Sequence, residues 1–294
     1  MRDKVVLHSI GIHDGSFHAD EVTACALLIL FKLADKDLIR RTREEEILSS
    51  CEYVCDVGGK YDPKMKLFDH HQSDYKGPLS SAGMILLYLK DKKIIDEGFY
   101  EFLNRSLIIG VDKEDNGAIT PPEGVCTFSE VLNNFMPIEY TASFEEVGKA
   151  FKEALDFTLW YLDRLQKRYE YFLRCRALVK KSMELNKDFL LIEESIPWME
   201  NFFALGGEKH RALFVIMPTG KHWKLRGIPP NLKDKMSVRM SLPKKWAGLH
   251  NDDLKKVSNI KGAIFCHKGG FISIWETKED AFKALEYVLK EGKL

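Results

Sequence analysis

A chain of 294 residues exceeds what a single hydrophobic core usually organises, so two domains are expected. Its 44 lysines and arginines balance 44 aspartates and glutamates, which excludes a uniformly basic coat and makes any site for a polyanion a local one. The six cysteines are too sparse for a disulfide scaffold, and no run approaches the ~18 apolar residues of a membrane span, so reduced thiols and a cytoplasmic location are expected.

The first strand opens at Val5-Val6-Leu7 and leads into His13-Asp14-Gly15-Ser16-Phe17-His18-Ala19-Asp20-Glu21, where five side chains are competent to bind a metal. The apolar block from Val22 to Leu30 is long enough for a buried helix, with Asp20 and Glu21 favouring its N-terminus. Ile39 to Arg43 reads as a second strand. Its arginines either reach phosphate or lie on a solvated edge. The β-prone run Cys51 to Cys55 sets Asp56 at a strand tip, and Gly58 and Gly59 follow to let backbone approach a ligand. Cys51 and Cys55 lack the short loop of a zinc knuckle and read as strand packing.

Past a turn at Tyr61-Asp62-Pro63, another strand ends at Phe68 and delivers Asp69-His70-His71-Gln72. A carboxylate beside imidazoles suits manganese, iron or zinc better than magnesium or calcium, which prefer oxygens alone. Ser80 and Ser81 open an apolar helix whose first amides either hold a phosphate or are simply capped. Leu107 to Val111 is an apolar run ending at Asp112, with Asp115-Asn116-Gly117 behind it. Four acidic clusters, each closing an apolar segment, fit an open α/β sheet that gathers ligands at the carboxyl ends of its strands. A dinuclear metal site is the expectation.

From Ser143 to Lys181 the apolar residues recur at helical spacing, predicting one long helix or two abutting ones. Its distal basic residues read as a solvated face. Beyond Asn186 short β-prone segments at Phe189–Ile192, Ala212–Ile216 and Ala263–Cys266, then a helix near Lys278 to Leu289, predict a smaller α+β domain. The expected division is therefore 1–182, including the long helix, and 183–294. Between Thr219 and Trp246 lie eight basic residues, Arg226 and Arg239 among them, against the single acid Asp234, with His222 and Trp223 interleaved. Cations for phosphates and rings for bases are what a single-stranded nucleic acid needs.

The set His-x4-His-x-Asp-Glu, Asp-Val-Gly-Gly, Asp-His-His-Gln and a later aspartate resembles the DHH phosphoesterase superfamily. Within it, the chain is similar to the melanocyte-proliferating-gene family of metal-dependent hydrolases and RNA exonucleases over nearly its whole length, including Ser80 to Gly83, Leu242 to Leu249 and His267 to Phe271. The resemblance implies an N-terminal domain with a mainly parallel sheet and helices on both faces. It implies two divalent ions, one on His13, His18 and Asp56 and one on Asp20, Asp56, His70 and Asp112, with Asp56 bridging. His71 would contact the scissile phosphate and Asp69 would orient a ligand imidazole. His267, Lys268, Gly269 and Gly270 resemble a glycine-rich substrate motif, for which an ordinary hairpin turn is the competing reading.

Most of the superfamily has an aspartate where this chain has His18, which removes a negative charge and favours manganese over magnesium. The spacing from His13 is one residue longer than usual, so Asp14 is an alternative ligand. The function expected is a manganese-dependent phosphodiesterase, a 3′-5′ exonuclease on single-stranded RNA or short oligonucleotides, the polarity resting on the resemblance alone. A small-molecule phosphatase or cyclic-dinucleotide phosphodiesterase and a non-catalytic RNA-binding protein with structural metals are the alternatives. Oligomeric state stays open, a homodimer included.

Overall fold

The computed structural model describes residues 5–291. The chain forms two compact units, Met1–Tyr169 and Glu170–Leu294.

In the first unit β1 (Val6–Ile12) leads into α1 (Ala19–Leu30), followed by β2 (Ile39–Arg41), α2 (Glu45–Ser50), β3 (Cys51–Cys55), β4 (Tyr61–Asp62) and β5 (Leu67–Phe68). The sheet order is β2-β1-β3-β5-β4; only β4 runs antiparallel to its neighbour, as expected of a mainly parallel sheet. Helix α3 (Ser81–Asp91) packs with α1 over one face, and α2 covers part of the other through Leu48 against Cys51, Val54 and Val57. Helix α1 is apolar on nearly all sides because it is enclosed: Val22, Leu27 and Leu28 are fully buried, each contributing about 1.5–3 kcal/mol.

Next come α4 (Glu97–Leu103), a π-helical turn at Asn104–Ile108, α5 (Ile109–Asp115), α6 (Phe128–Asn133) and α7 (Phe144–Glu184). The apolar run before Asp112, expected as a strand, is therefore helical. Leu103, Leu107, Ile108 and Val111 are all buried, at the spacing of a helix face, while Ile109 and Gly110 point outward. The long helix expected from Ser143 is α7, and the division between units falls within it.

The second unit contains β6 (Phe189–Leu191), α8 (Met199–Ala204), β7 (Phe214–Thr219), β8 (His222–Gly227), α9 (Asn251–Ser258), β9 (Ala263–Cys266), β10 (Ile272–Trp275) and α10 (Lys278–Glu291). Its sheet order is β6-β7-β8-β10-β9, parallel only at β6–β7. Gly220, at φ +59°, opens the two-residue turn joining β7 to β8. One face buries Phe214, Ile216, Leu225 and Trp275 with Trp246 and α10; the other buries Val215 and Met217 with Val179 and Phe202. The six cysteines are unbridged, and no described helix is long and apolar enough to cross a membrane.

Candidate metal centre

The carboxyl ends of β1, β3 and β5 come level because Gly11 pairs with Val54 and Cys55 with Phe68. One residue past β3 the Asp56 N–H donates to the Phe68 carbonyl at 3.0 Å. Asp56 itself turns at φ +56°, a left-handed conformation uncommon outside glycine but tolerated by aspartate, and Gly58 and Gly59 continue the turn at +96° and +65°. This sharp exit points the Asp56 carboxylate inward, where it is 3% exposed.

Asp56 sits among imidazoles. Its Oδ2 lies 3.2 Å from His13 Nε2, and its Oδ1 lies 3.3 Å from His70 Nε2 and 3.4 Å from His71 Nδ1. Burial would raise its pKa, but His13 and His70 prevail and hold it below the usual carboxylate range. Asp20, at the start of α1, has 0% exposure and no hydrogen-bond donor to either carboxylate oxygen. Burial, then the charges of Asp56, Glu21 and Asp115, push its pKa well up. Burying a carboxylate without donors costs several kcal/mol unless a cation neutralises it.

Donor atoms converge in three sets, each within 4.8 Å: His13, His18, Glu21 and Asp56; Asp56, His70 and His71; and His18, Asp20 and Asp115. Asp20, Glu21, Asp56 and Asp115 bring four carboxylates to one place. With both imidazoles neutral, as ligation requires, the four ionised carboxylates carry more charge than Arg41 and one divalent ion neutralise.

The two buried imidazoles are oriented for ligation. His13 Nδ1 lies 2.8 Å from the Asp14 carbonyl, so it is the donor and Nε2 turns towards Asp56 and Glu21, the latter at 3.2 Å. His70 Nδ1 lies 3.2 Å from Asn116 Oδ1. The Asn116 amide is held by donation from Nδ2 to the carbonyls of Asp112 at 2.8 Å and Pro78 at 3.2 Å, which turns its oxygen towards His70. His70 Nε2 then faces Asp115 at 3.1 Å and Asp20 at 3.9 Å. Burial disfavours the charged imidazoles, yet Asp56 and Glu21 lift His13 to about 10, and Asp115 and Asp56 lift His70 to about 10. A divalent ion would displace those Nε2 protons.

His71 and Asp69 flank this centre. The His71 side chain is 63% exposed, and its Nδ1 lies 2.9 Å from Asp69 Oδ1, which leaves Nε2 free. Buried Asp69 also accepts from the backbone of His71 at 3.1 Å and Gly59 at 2.6 Å, so it fixes the turn that carries His71. A cavity of ≈ 430 Å³ opens here, lined by His13, His18, Asp56, Gly58, Gly59, Asp69 and His71.

Asp112 stands apart from the converging sets. Its Oδ1 accepts from Ser80 N at 3.1 Å, Ser80 Oγ at 2.7 Å and Gly83 N at 3.0 Å, closing the N-terminus of α3. Burial raises its pKa to about 6 against those hydrogen bonds. The α3 amides, for which a substrate phosphate was one expectation, are thus occupied by a carboxylate of the chain itself. Ser81 Oγ donates to the Phe68 carbonyl at 3.2 Å, and both serines are fully buried. Asp115, one helical turn beyond Asp112, is the acid α5 delivers to His70. Glu21 and Asn116 are the other members absent from the sequence-derived set. The helical spacing of Leu103, Leu107 and Val111 was the signal for Asp115. Asp14 directs its carboxylate at Arg43 Nε, 3.2 Å away, rather than into the cluster.

In the second unit, Arg239 is committed internally. It donates to the carbonyls of His210 at 2.6 Å, Gly207 at 2.8 Å and Ala212 at 2.9 Å, and lies over the Phe202 ring. Lys245 pairs with Glu291, Lys235 with Glu200, and Trp223 lies under Lys278. Lys224 and Arg226 differ: they share a face of β8, have no acidic partner among the described residues, and both have pKa values lowered by burial. Across β10 and β9 the Lys224 row continues through Ile274 to Phe265. Phe265 begins a run of rings through His267 to Phe271, the last under Arg226 at 5.4 Å. His267 Nδ1 accepts from Gly269 N at 3.0 Å, Gly270 turns at φ +63°, and Lys268 is exposed beside them.

A family model described as "Uncharacterised protein family (UPF0160)" and labelled MYG1_exonuc matches residues 9–289. The MYG1 protein of Chlamydia pneumoniae is 50% identical over 283 residues, 96% of this chain and 97% of that one. The MYG1 exonuclease of Homo sapiens is 30% identical over 325 residues, 96% of this chain and 86% of that one. Among solved structures, RecJ of Thermus thermophilus in complex with Mn2+ aligns with 96% of this chain at a TM-score of 0.27 and 13% identity, and the chain spans 52% of its length. The extent of the family match and the identity to its bacterial relatives place this chain in the MYG1 (UPF0160) family.

Proposed function

We propose that the chain is a manganese-dependent phosphodiesterase that shortens single-stranded RNA from its 3′ end. The observation that carries the reading is Asp20: a fully buried carboxylate with no donor, facing other carboxylates and the Nε2 of His70. The residues fit two divalent ions, one held by His13, His18 and Asp56 with Glu21 in reach, the other by Asp20, Asp56, His70 and Asp115. Such a pair, when bound, activates a water and stabilises both the attacking and the leaving oxygens of an in-line displacement at phosphorus.

The chain's own groups supply the rest. Glu21 accepts the His18 backbone N–H at 2.9 Å and so fixes the start of α1 that carries Asp20. Asp69 holds His71 at Nδ1, and with both ring nitrogens protonated Nε2 would donate to a phosphate oxygen. The mixture of imidazole and carboxylate favours manganese. Lys224, Arg226 and the rings of Phe265 and His267 suit phosphates and unstacked bases, and the exonuclease name of the human and rodent relatives supports nucleic acid as the substrate class. Polarity rests on the family resemblance.

Incubation with manganese and end-labelled oligonucleotides tests this reading. Stepwise shortening of RNA labelled at its 5′ end is the expected result. Turnover confined to dinucleotides or phosphomonoesters would replace it with a small-molecule phosphatase. A shifted but intact band would leave only an RNA-binding protein.

A further inference from the structure

The three arginines around β2 have separate fates. Arg40 donates to the carbonyls of Asp37 and Ile39. Arg41 turns inward, donates to the Gly15 carbonyl and lies over the Phe151 ring at 5.0 Å, bracing the loop between His13 and His18. Arg43 alone lines the cavity beside the metal centre.

Arg43 is the one side chain of that cavity wall with a permanent positive charge. Its Nε lies 3.2 Å from Asp14 Oδ1, and no second acid lies within ion-pair distance of it among the described residues. Asp14 thus meets two groups of the cavity wall, its carbonyl accepting from His13 Nδ1 and its carboxylate pairing with Arg43. A guanidinium is a planar fork, the shape that grips two oxygens of one phosphate. Gly58 and Gly59 also line the cavity, and an added Cβ there would meet nothing within 4 Å, so a sugar–phosphate has room to approach.

We propose that Arg43 is the phosphate clamp of this cavity, gripping a substrate phosphate adjacent to the scissile one and selecting charged phosphodiester ends over neutral ones. The proposal rests on the nucleolytic reading above. Because the Arg43 side chain is 66% exposed, its grip is screened by solvent, and the expected effect is at the low end for a hydrogen bond to a charged group, about tenfold.

The test is a cycle between residue and linkage. Wild type, R43A and R43K are assayed on end-labelled oligonucleotides carrying one neutral methylphosphonate at successive linkages from the end. On the native oligonucleotide R43A should raise KM about tenfold with little change in kcat, and R43K should recover part of the loss. At one linkage next to the scissile bond, methylphosphonate should lower wild-type kcat/KM about tenfold and add nothing further in R43A. Melting temperature and metal content should match wild type. Equal KM for R43A and wild type, or penalties that multiply at every linkage, would overturn the clamp. Should wild type fail to shorten oligonucleotides, the nucleolytic reading falls. Titrating metal-loaded protein with adenosine monophosphate then decides Arg43: about tenfold weaker binding by R43A keeps it, and equal binding removes it.

Discussion

Asp20 and Asp112 are both buried carboxylates in the first unit, and they are solvated by the protein in opposite ways. Asp112 receives three hydrogen bonds, from Ser80 N, Ser80 Oγ and Gly83 N, and caps α3. Asp20 receives none and faces Asp56, Glu21 and Asp115. The first arrangement is complete as it stands; the second has His70 Nε2 no nearer than 3.9 Å and loses that charge once His70 is neutral, so it calls for another cation. Burial of an acid therefore says little about metal binding, whereas burial without donors says a good deal.

The widest separation between the two acids is expected in activity. D20N, and D56N at the shared position, should lower kcat/KM by about a thousandfold or more, since ligand loss removes several kcal/mol of charge stabilisation. D112A should retain its metal by elemental analysis and lose about 1–3 kcal/mol of stability by denaturant unfolding, because the Ser80 and Gly83 amides are left without an acceptor. D115N should behave like D20N. Metal loss from D112A but not from D115N would reverse the assignment of these two acids.

pH should sharpen the contrast. His13 and His70, raised from 6.5 to about 10 in the metal-free protein, contribute stability that is present in full below pH 6.5 and lost as pH climbs through 10. Metal ions need those rings deprotonated, so the rise in Tm on adding manganese should grow between pH 6 and 8.5 as protons are released. A metal-induced Tm shift that is flat or falling over that interval would contradict the ligation of both rings.

A smaller effect concerns the cradle alone. A Cβ on Gly83 would lie 2.2 Å from Asp112 Oδ2, so G83A should destabilise by about 1–3 kcal/mol, with its metal content kept. In the second unit the same logic separates Arg239 from Lys224 and Arg226. R239A should lower Tm, whereas K224A with R226A should leave Tm nearly unchanged, weaken RNA binding and make it less dependent on salt, by a slope of about one per phosphate contact.

The strand-tip groups were legible because β-prone runs end in glycine or in the acid and imidazoles themselves, as at Cys51 to Gly59 and Lys66 to His71. Asp115 was not, since an apolar run of five residues reads equally as strand or helix, and only the helical reading brings Asp115 rather than Asp112 to His70. Ser80 and Ser81 were correctly placed at a helix start, yet the anion filling it comes from a segment about 30 residues away in sequence, which no local pattern reveals. The basic tract showed its charge but not its facing. Alternation along β8 puts Lys224 and Arg226 together, while the commitment of Arg239 to three loop carbonyls depends on tertiary closure.

The most direct test is anomalous diffraction at the manganese edge from crystals grown with that ion. Two peaks about 3.5–4 Å apart are expected, one against His13, His18 and Asp56 and the other against Asp20, Asp56, His70 and Asp115. Density for a cation at Asp112 with none at Asp20, or no peak among these side chains at all, would contradict it.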